Sequence, residues 1–284
     1  MSWQGFSVAC KAEWFISRHN WRSILLLLTP SLAGVIHILL IRLNNASANI
    51  RQSLGGRGGD NMDFAYGYFV DGLSTGLIIT YLVFVAVAAY SFAGERDHGV
   101  LRHLTIRQSS RGAILAAKIM GLHIKVVLAC VLLFVACLST CATLWDFTAV
   151  VEDGYELIST TEIEQEIRLG LTLALLPLPA CLCLGLLLSV VAHSALQAVT
   201  LGLGLTLFLD IFKGAFGQAA QYIYTRFQPS LLDTSYLKEV SRIARGFSDI
   251  LIDEQVMQLN YWIPVPQAVL FLLLAFVLVK RKSL

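Results

Sequence analysis

Residues 169–209 read LGLTLALLPLPACLCLGLLLSVVAHSALQAVTLGLGLTLFL and contain no Asp, Glu, Lys or Arg. One helix of that length would run roughly 60 Å at 1.5 Å per residue, about twice the hydrocarbon thickness of a bilayer. The stretch therefore predicts two membrane crossings, 169–191 and 195–212, folded back near Ala192, His193 and Ser194. Outward from it, the runs Ile24–Ile41, Gly72–Gly94, Val126–Trp145 and Gln255–Val279 also lack formal charge. Each is long enough to cross once, which places four further spans at 23–42, 72–94, 122–145 and 259–279. Leu, Val and Phe side chains in 126–145 favour insertion by roughly 3–6 kcal/mol in total. Lys125 sits at the edge of that run, where its stem can snorkel toward the headgroups. The fold class expected is an all-α polytopic membrane protein, one transmembrane domain over 1–284 with six crossings.

Composition agrees with this reading. Hydrophobic residues make up 56% of the 284 positions and charged residues 14%, with a mean hydropathy of +0.69. A soluble domain carries about a quarter of its residues as charges, so this chain could not cover a water-facing surface. The formal net charge of +2 gives no reason to expect a nucleic-acid partner. Cys130, Cys137, Cys141, Cys181 and Cys183 fall inside apolar spans and Cys10 precedes the first, which fits buried small hydrophobes and no disulfide framework.

Orientation follows from the basic residues of the loops. If both termini share one side, that side holds 12 Lys and Arg against Glu13, Glu95 and Asp97, while the other holds 9 bases and 16 acids. The basic side is expected to be the cytoplasm, in a plasma (inner) membrane. Trp145, Tyr261 and Trp262 then lie at the outer interface, where aromatic side chains favour the headgroup level. Residues 1–22 place Trp3, Phe6, Cys10, Trp14 and Trp21 at helical spacing with Lys11, Arg18 and Arg22 on another face. This pattern predicts an amphipathic helix in the membrane plane, in contact with lipid and retained as an anchor, not a cleaved signal.

The sizeable loop on the basic side, Gly94–Gly112, reads GERDHGVLRHLTIRQSSRG. Val100, Leu101 and Leu104 fall on one side of a short helix, with Arg102, His103 and Arg107 around the rest. A charged helix with one apolar stripe, held between two spans, suits docking into a groove on another protein. Ser109 or Ser110 can cap a following helix that carries Arg111 in its first turn and continues through Lys118.

The order Glu95-Arg96-Asp97, Gly99, Leu101, then Ser110-Arg111-Gly112, Ile114-Leu115 and Lys118 resembles the cytoplasmic signature of ABC-2 type transporter permeases, in their six-helix branch. That pattern runs roughly E-R-E-x-G-T-L, then P-x-S-R-x-x-I-L-x-x-K; Asp97, Val100, Gln108 and Ala117 depart from it. The resemblance implies a type V exporter-like architecture in which 95–111 is a coupling helix. It further implies that Glu95, Arg96, Asp97, Gly99, Val100, Leu101, Arg102, Leu104, Arg107 and Arg111 face a separate ATPase. Two permease copies with two ATPases would complete the transporter, ATP and Mg residing on the ATPase. The chain itself has no G-x-x-x-x-G-K-[ST] loop, so no cofactor and no catalytic residue are expected on it.

The outer segments carry weaker signals. Residues 146–168 hold seven acids and one base, a composition that fits a solvated loop, with Thr161 and Glu164 spaced for a capping box. Gly55–Gly59 with Arg57 reads as a flexible outer loop within 42–71. In 213–254, two amphipathic helices are expected. Phe212, Phe216, Ala220, Ile223 and Phe227 recur at helical spacing, as do Leu237, Val240, Ala244, Phe247 and Leu251. Gly202 and Gly204 suit close packing of the fifth span.

Two other functions compete with an ATP-driven permease. An ion-coupled transporter or channel would place ionisable groups near span centres, where His37 is the sole candidate. A polytopic membrane enzyme would show G-x-S-x-G or H-E-x-x-H, and neither is present.

Overall fold

The computed structural model describes residues 3–55, 64–99, 110–152, 155–247 and 254–281. Its helices are α1 Trp3–His19, α2 Trp21–Gly55, α3 Ala65–Asp97, α4 Arg111–Leu144, α5 Thr160–Leu175, α6 Leu178–Val191 and α7 Ala195–Ile211. After 3-10 turns at Lys213–Tyr222 and Tyr224–Arg226 come α8 Tyr236–Ile243, α9 Glu254–Trp262 and α10 Pro264–Arg281. A small antiparallel hairpin, β1 Val150–Glu152 with β2 Tyr155–Ile158, is the one sheet among the described residues. Among the described residues, five segments are long and apolar enough to cross a membrane, and α7 with the following 3-10 turn, bent by 96°, can supply a sixth.

Prolines and serines set the breaks. Pro177 ends the rise of α5 and Pro179 opens α6, so Thr160–Val191 is one crossing made of two helices. Ser110, Ser159 and Ser194 each accept an amide hydrogen three residues on, at the starts of α4, α5 and α7. At α5 the capping box is Ser159–Glu162, two residues before the expected Thr161–Glu164, because Ser159 ends the hairpin in extended backbone. Pro30 lies inside α2, and Thr29 and Ser31 satisfy the carbonyls of Leu25 and Leu28 beside it.

α3 lies at the centre, packed against α2, α4, α6, α7 and α8. Helices meet there at small residues. A Cβ on Gly185 would lie 2.8 Å from the Val85 carbonyl oxygen, and one on Gly34 2.9 Å from that of Gly72. A Cβ on Gly202 would lie 3.0 Å from that of Ala89, but one on Gly204 would meet nothing within 4 Å, so only the first of that predicted pair packs.

Several outer segments differ from expectation. α2 continues to Gly55, so much of the expected outer loop is helix; 56–63 lie outside the described residues. Residues 213–227 are not one amphipathic α-helix but 3-10 turns broken at Gly217, whose φ of +54 suits glycine. α8 ends at Ile243, ahead of Gly246 at φ +84, and so never reaches Leu251, which lies outside the described residues. The acids of 146–168 are also more engaged than a solvated loop. Tyr66 donates to Glu164 at 3.1 Å and Tyr236 donates to Glu166, which ties α5 to α3 and α8.

Candidate functional site

The segment predicted to couple to a partner begins where α3 stops. His98 follows the helix and its amide bonds to Gly94 O, while Gly99 at φ +71 takes the chain out of the helical path. Val100, Leu101, Arg102, Leu104 and Arg107 lie outside the described residues. Arg111 opens α4, whose first amides are capped by Ser110.

Glu95, Arg96 and Asp97 fill the last turn of α3, and two of their carboxylates are already engaged within the chain. Asp97 Oδ2 accepts from the Ala195 amide at 2.6 Å, the N-terminal turn of α7, where a negative charge is favoured. Glu95 Oε1 lies 2.5 Å from Lys118 Nζ, and Glu13 Oε1 lies 2.5 Å from the same nitrogen. The Lys118 side chain is 3% exposed. One ammonium thus joins α1, the end of α3 and the start of α4. Arg96 Nη1 and Nη2 have no hydrogen-bond partner among the described residues.

Beside this ion triad is a cavity of about 810 Å³ bounded by α1, α2, α3, α4 and α7. One end holds Glu13, Glu95, Lys118 and Lys125 with Ser17, Asn20 and Ser91; the other is lined by Leu26, Leu82, Val83, Val87 and Leu203. Near it, burial and then the Glu13 carboxylate push the Cys10 thiol above its ordinary range, so Cys10 is held as a neutral thiol. No group of three or more His, Cys, Asp or Glu suited to a metal occurs among the described residues.

A second polar cluster closes the opposite end. Asp71 pairs with Arg245 and accepts from Ser241 at 2.5 Å, joining α3 to the α8 segment. Arg42 donates to Leu144 O at 2.8 Å and stacks over Trp145, fastening α2 to the end of α4. Asp233 accepts from Ser74 and from the Ser235 amide; burial nevertheless pushes its carboxyl above the ordinary aspartate value. Burial and the bond to Glu166 likewise raise the Tyr236 hydroxyl. Asp210 and Lys213, both buried, pair at 2.8 Å beneath this cap.

Sequence reasoning singled out Lys118 but not Glu13, its partner 105 residues away. The available signal was that Glu13 is the one acid in residues 1–22. The Asp210–Lys213 pair was also missed, although its spacing of three on a helical path was visible. In comparisons with known proteins, a family model described as ABC-2 family transporter protein matches residues 15–282. No curated protein and no solved structure matches the chain.

Proposed function

The chain belongs to the ABC-2 transporter family, and on that premise we propose that it is the permease subunit of an exporter driven by a separate ATPase. A second permease copy completes the pathway, in a plasma membrane with both termini in the cytoplasm. The family match over 15–282 supports a membrane subunit of an ABC transporter as a class. The observation that carries the finer reading is the Lys118 triad, which joins the interfacial helix to both ends of the 98–110 connection.

A connection fastened in this way suits the transmission of force. Closure of paired ATPases on ATP would displace segment 95–111, and the Glu13–Lys118–Glu95 contacts would pass that movement to α1, α3 and α4 together. Asp97, bonded to the start of α7, extends the same movement to that helix. Glu95 and Asp97 therefore position the segment from inside. The contacts to the ATPase fall to Gly99, Arg102, Arg107 and Arg111, with Val100, Leu101 and Leu104 filling an apolar groove, while the buried Arg96 guanidinium stays beside Asp97.

Leu101→Asp tests this reading, since it would bring an unpaired charge into that groove. A tagged chain purified from its native membrane in mild detergent should bring a P-loop ATPase with it, identified by mass spectrometry, and the variant should not. Equal recovery with the variant contradicts the docking assignment. Absence of an ATPase from the otherwise intact parent contradicts the ATP-driven reading.

A further inference from the structure

The crossing Thr160–Val191 breaks at Pro177, which has no amide hydrogen to offer the Leu173 carbonyl four residues earlier. Asn260 supplies the missing donor from α9, its Nδ2 donating to Leu173 O at 3.1 Å. That bond fixes the orientation of the amide. Oδ1 is left as the acceptor, and it has no hydrogen-bond partner among the described residues although Asn260 is only 4% exposed. A buried acceptor in this position calls for a donor.

Asn260 lines a cavity of about 220 Å³ between α5, the Tyr224–Arg226 turn, α8 and α9. The volume lies below the usual range of sites that enclose a whole drug-sized molecule, and suits a headgroup whose chains stay outside. Arg226 and Glu239 are the two formally charged residues of its wall. Arg226 has no carboxylate within ion-pair distance among the described residues, and Glu239 pairs with Arg242 through Oε2, leaving Oε1 outside that pair. The two wall charges cancel, so a zwitterion meets both without leaving either uncompensated. Leu173, Val256 and Met257 provide the apolar side. Leu173 is about 18 residues from Val191 at the other end of the crossing, roughly 27 Å of helix and close to the hydrocarbon thickness. The cavity is therefore level with a membrane–water boundary, as are the exposed Tyr261 and Trp262 at the end of α9.

We propose that this cavity holds the headgroup of an ethanolamine phospholipid, the phosphate on the Arg226 guanidinium and the primary ammonium between Asn260 Oδ1 and Glu239. The assignment goes beyond the permease reading and does not rest on it. A primary ammonium carries three N–H donors, one of which meets Asn260 Oδ1. The trimethylammonium of a choline lipid has none and leaves that oxygen unsatisfied, while a glycerol headgroup brings no cation to Glu239.

The test is native mass spectrometry of the complex purified in mild detergent, titrated with palmitoyl-oleoyl phosphatidylethanolamine or with the corresponding phosphatidylcholine. The ethanolamine lipid is expected to bind about tenfold more tightly, as for gain of one charge-assisted hydrogen bond. Asn260→Leu should bring the two affinities together, retained choline-lipid binding showing that the cavity is intact. Arg226→Gln should weaken both lipids about tenfold or more, and Arg226→Lys should keep most of the binding. O-phosphoethanolamine at equal concentration should not displace the lipid, since burial of the chains contributes to its affinity. Equal affinity of the parent for the two lipids, an undiminished preference in Asn260→Leu, unchanged binding in Arg226→Gln, or equal displacement by O-phosphoethanolamine would overturn the proposal, the last marking a site for a free zwitterion. Where Asn260→Leu fails to fold or loses both lipids, the parent's preference together with the Arg226 variants decides.

Discussion

Lys118 illustrates what a single side chain does in this fold. Its ammonium is almost fully enclosed and satisfied by two carboxylates from different helices. Removing one member of a buried ionic group leaves uncompensated charge, at a cost of about 3–5 kcal/mol. Lys118→Met should therefore lower thermal stability clearly, and Lys118→Met with Glu13→Gln and Glu95→Gln should recover part of it; melting by intrinsic fluorescence measures both. Asp233 gives a prediction of the opposite kind. Its carboxyl is raised by burial, so the native state holds the proton more tightly than the unfolded chain. Stability should fall as pH rises from about 4, the ordinary aspartate range, through the native titration. Asp233→Asn, which can still accept from the Ser235 amide, should flatten that fall; an unchanged slope in melting temperature against pH would contradict the burial argument. The sequence exposed Lys118 through its spacing after Arg111, but Glu13 was invisible because no local rule relates residues 105 apart.

At the scale of elements, α3 is central because small residues let its neighbours approach. Gly185→Leu should disrupt the α3–α6 contact, since even a Cβ there would lie 2.8 Å from the Val85 carbonyl oxygen. Gly204→Ala, with nothing within 4 Å, should leave yield and melting temperature unchanged. Detergent-resistant folding of the two variants, compared by size exclusion, checks the pair. The apolar runs of the spans were legible because one helical crossing in hydrocarbon demands a run of that length. The breaks were less so. The capping box fell at Ser159 because a hairpin delivers extended backbone there, and the hairpin depends on pairing that 146–168 does not announce by composition. The 3-10 turns after α7 follow apolar spacing that an α-helix would share, but Gly217 at φ +54 breaks the path.

For the whole molecule, two polar systems lie at opposite ends of an apolar bundle. The Glu13–Lys118–Glu95 triad joins α1, α3 and α4, while Asp71–Arg245 and the Tyr66 and Tyr236 bonds join α3, α5 and the α8 segment. Because α3 takes part in both, tilting it at one end must strain contacts at the other, the arrangement that alternating access requires of a permease. The central claim is that this chain converts a partner's ATP hydrolysis into such movement through the triad. The measurement that tests it most directly is ATP turnover by the co-purified complex in lipid vesicles, parent against Lys118→Met, with assembly verified in each. The account predicts that the variant, where it assembles, keeps the ATPase bound but shows turnover and export no longer linked. Export that remains tied to ATP turnover at the parent ratio in an assembled Lys118→Met complex would contradict it.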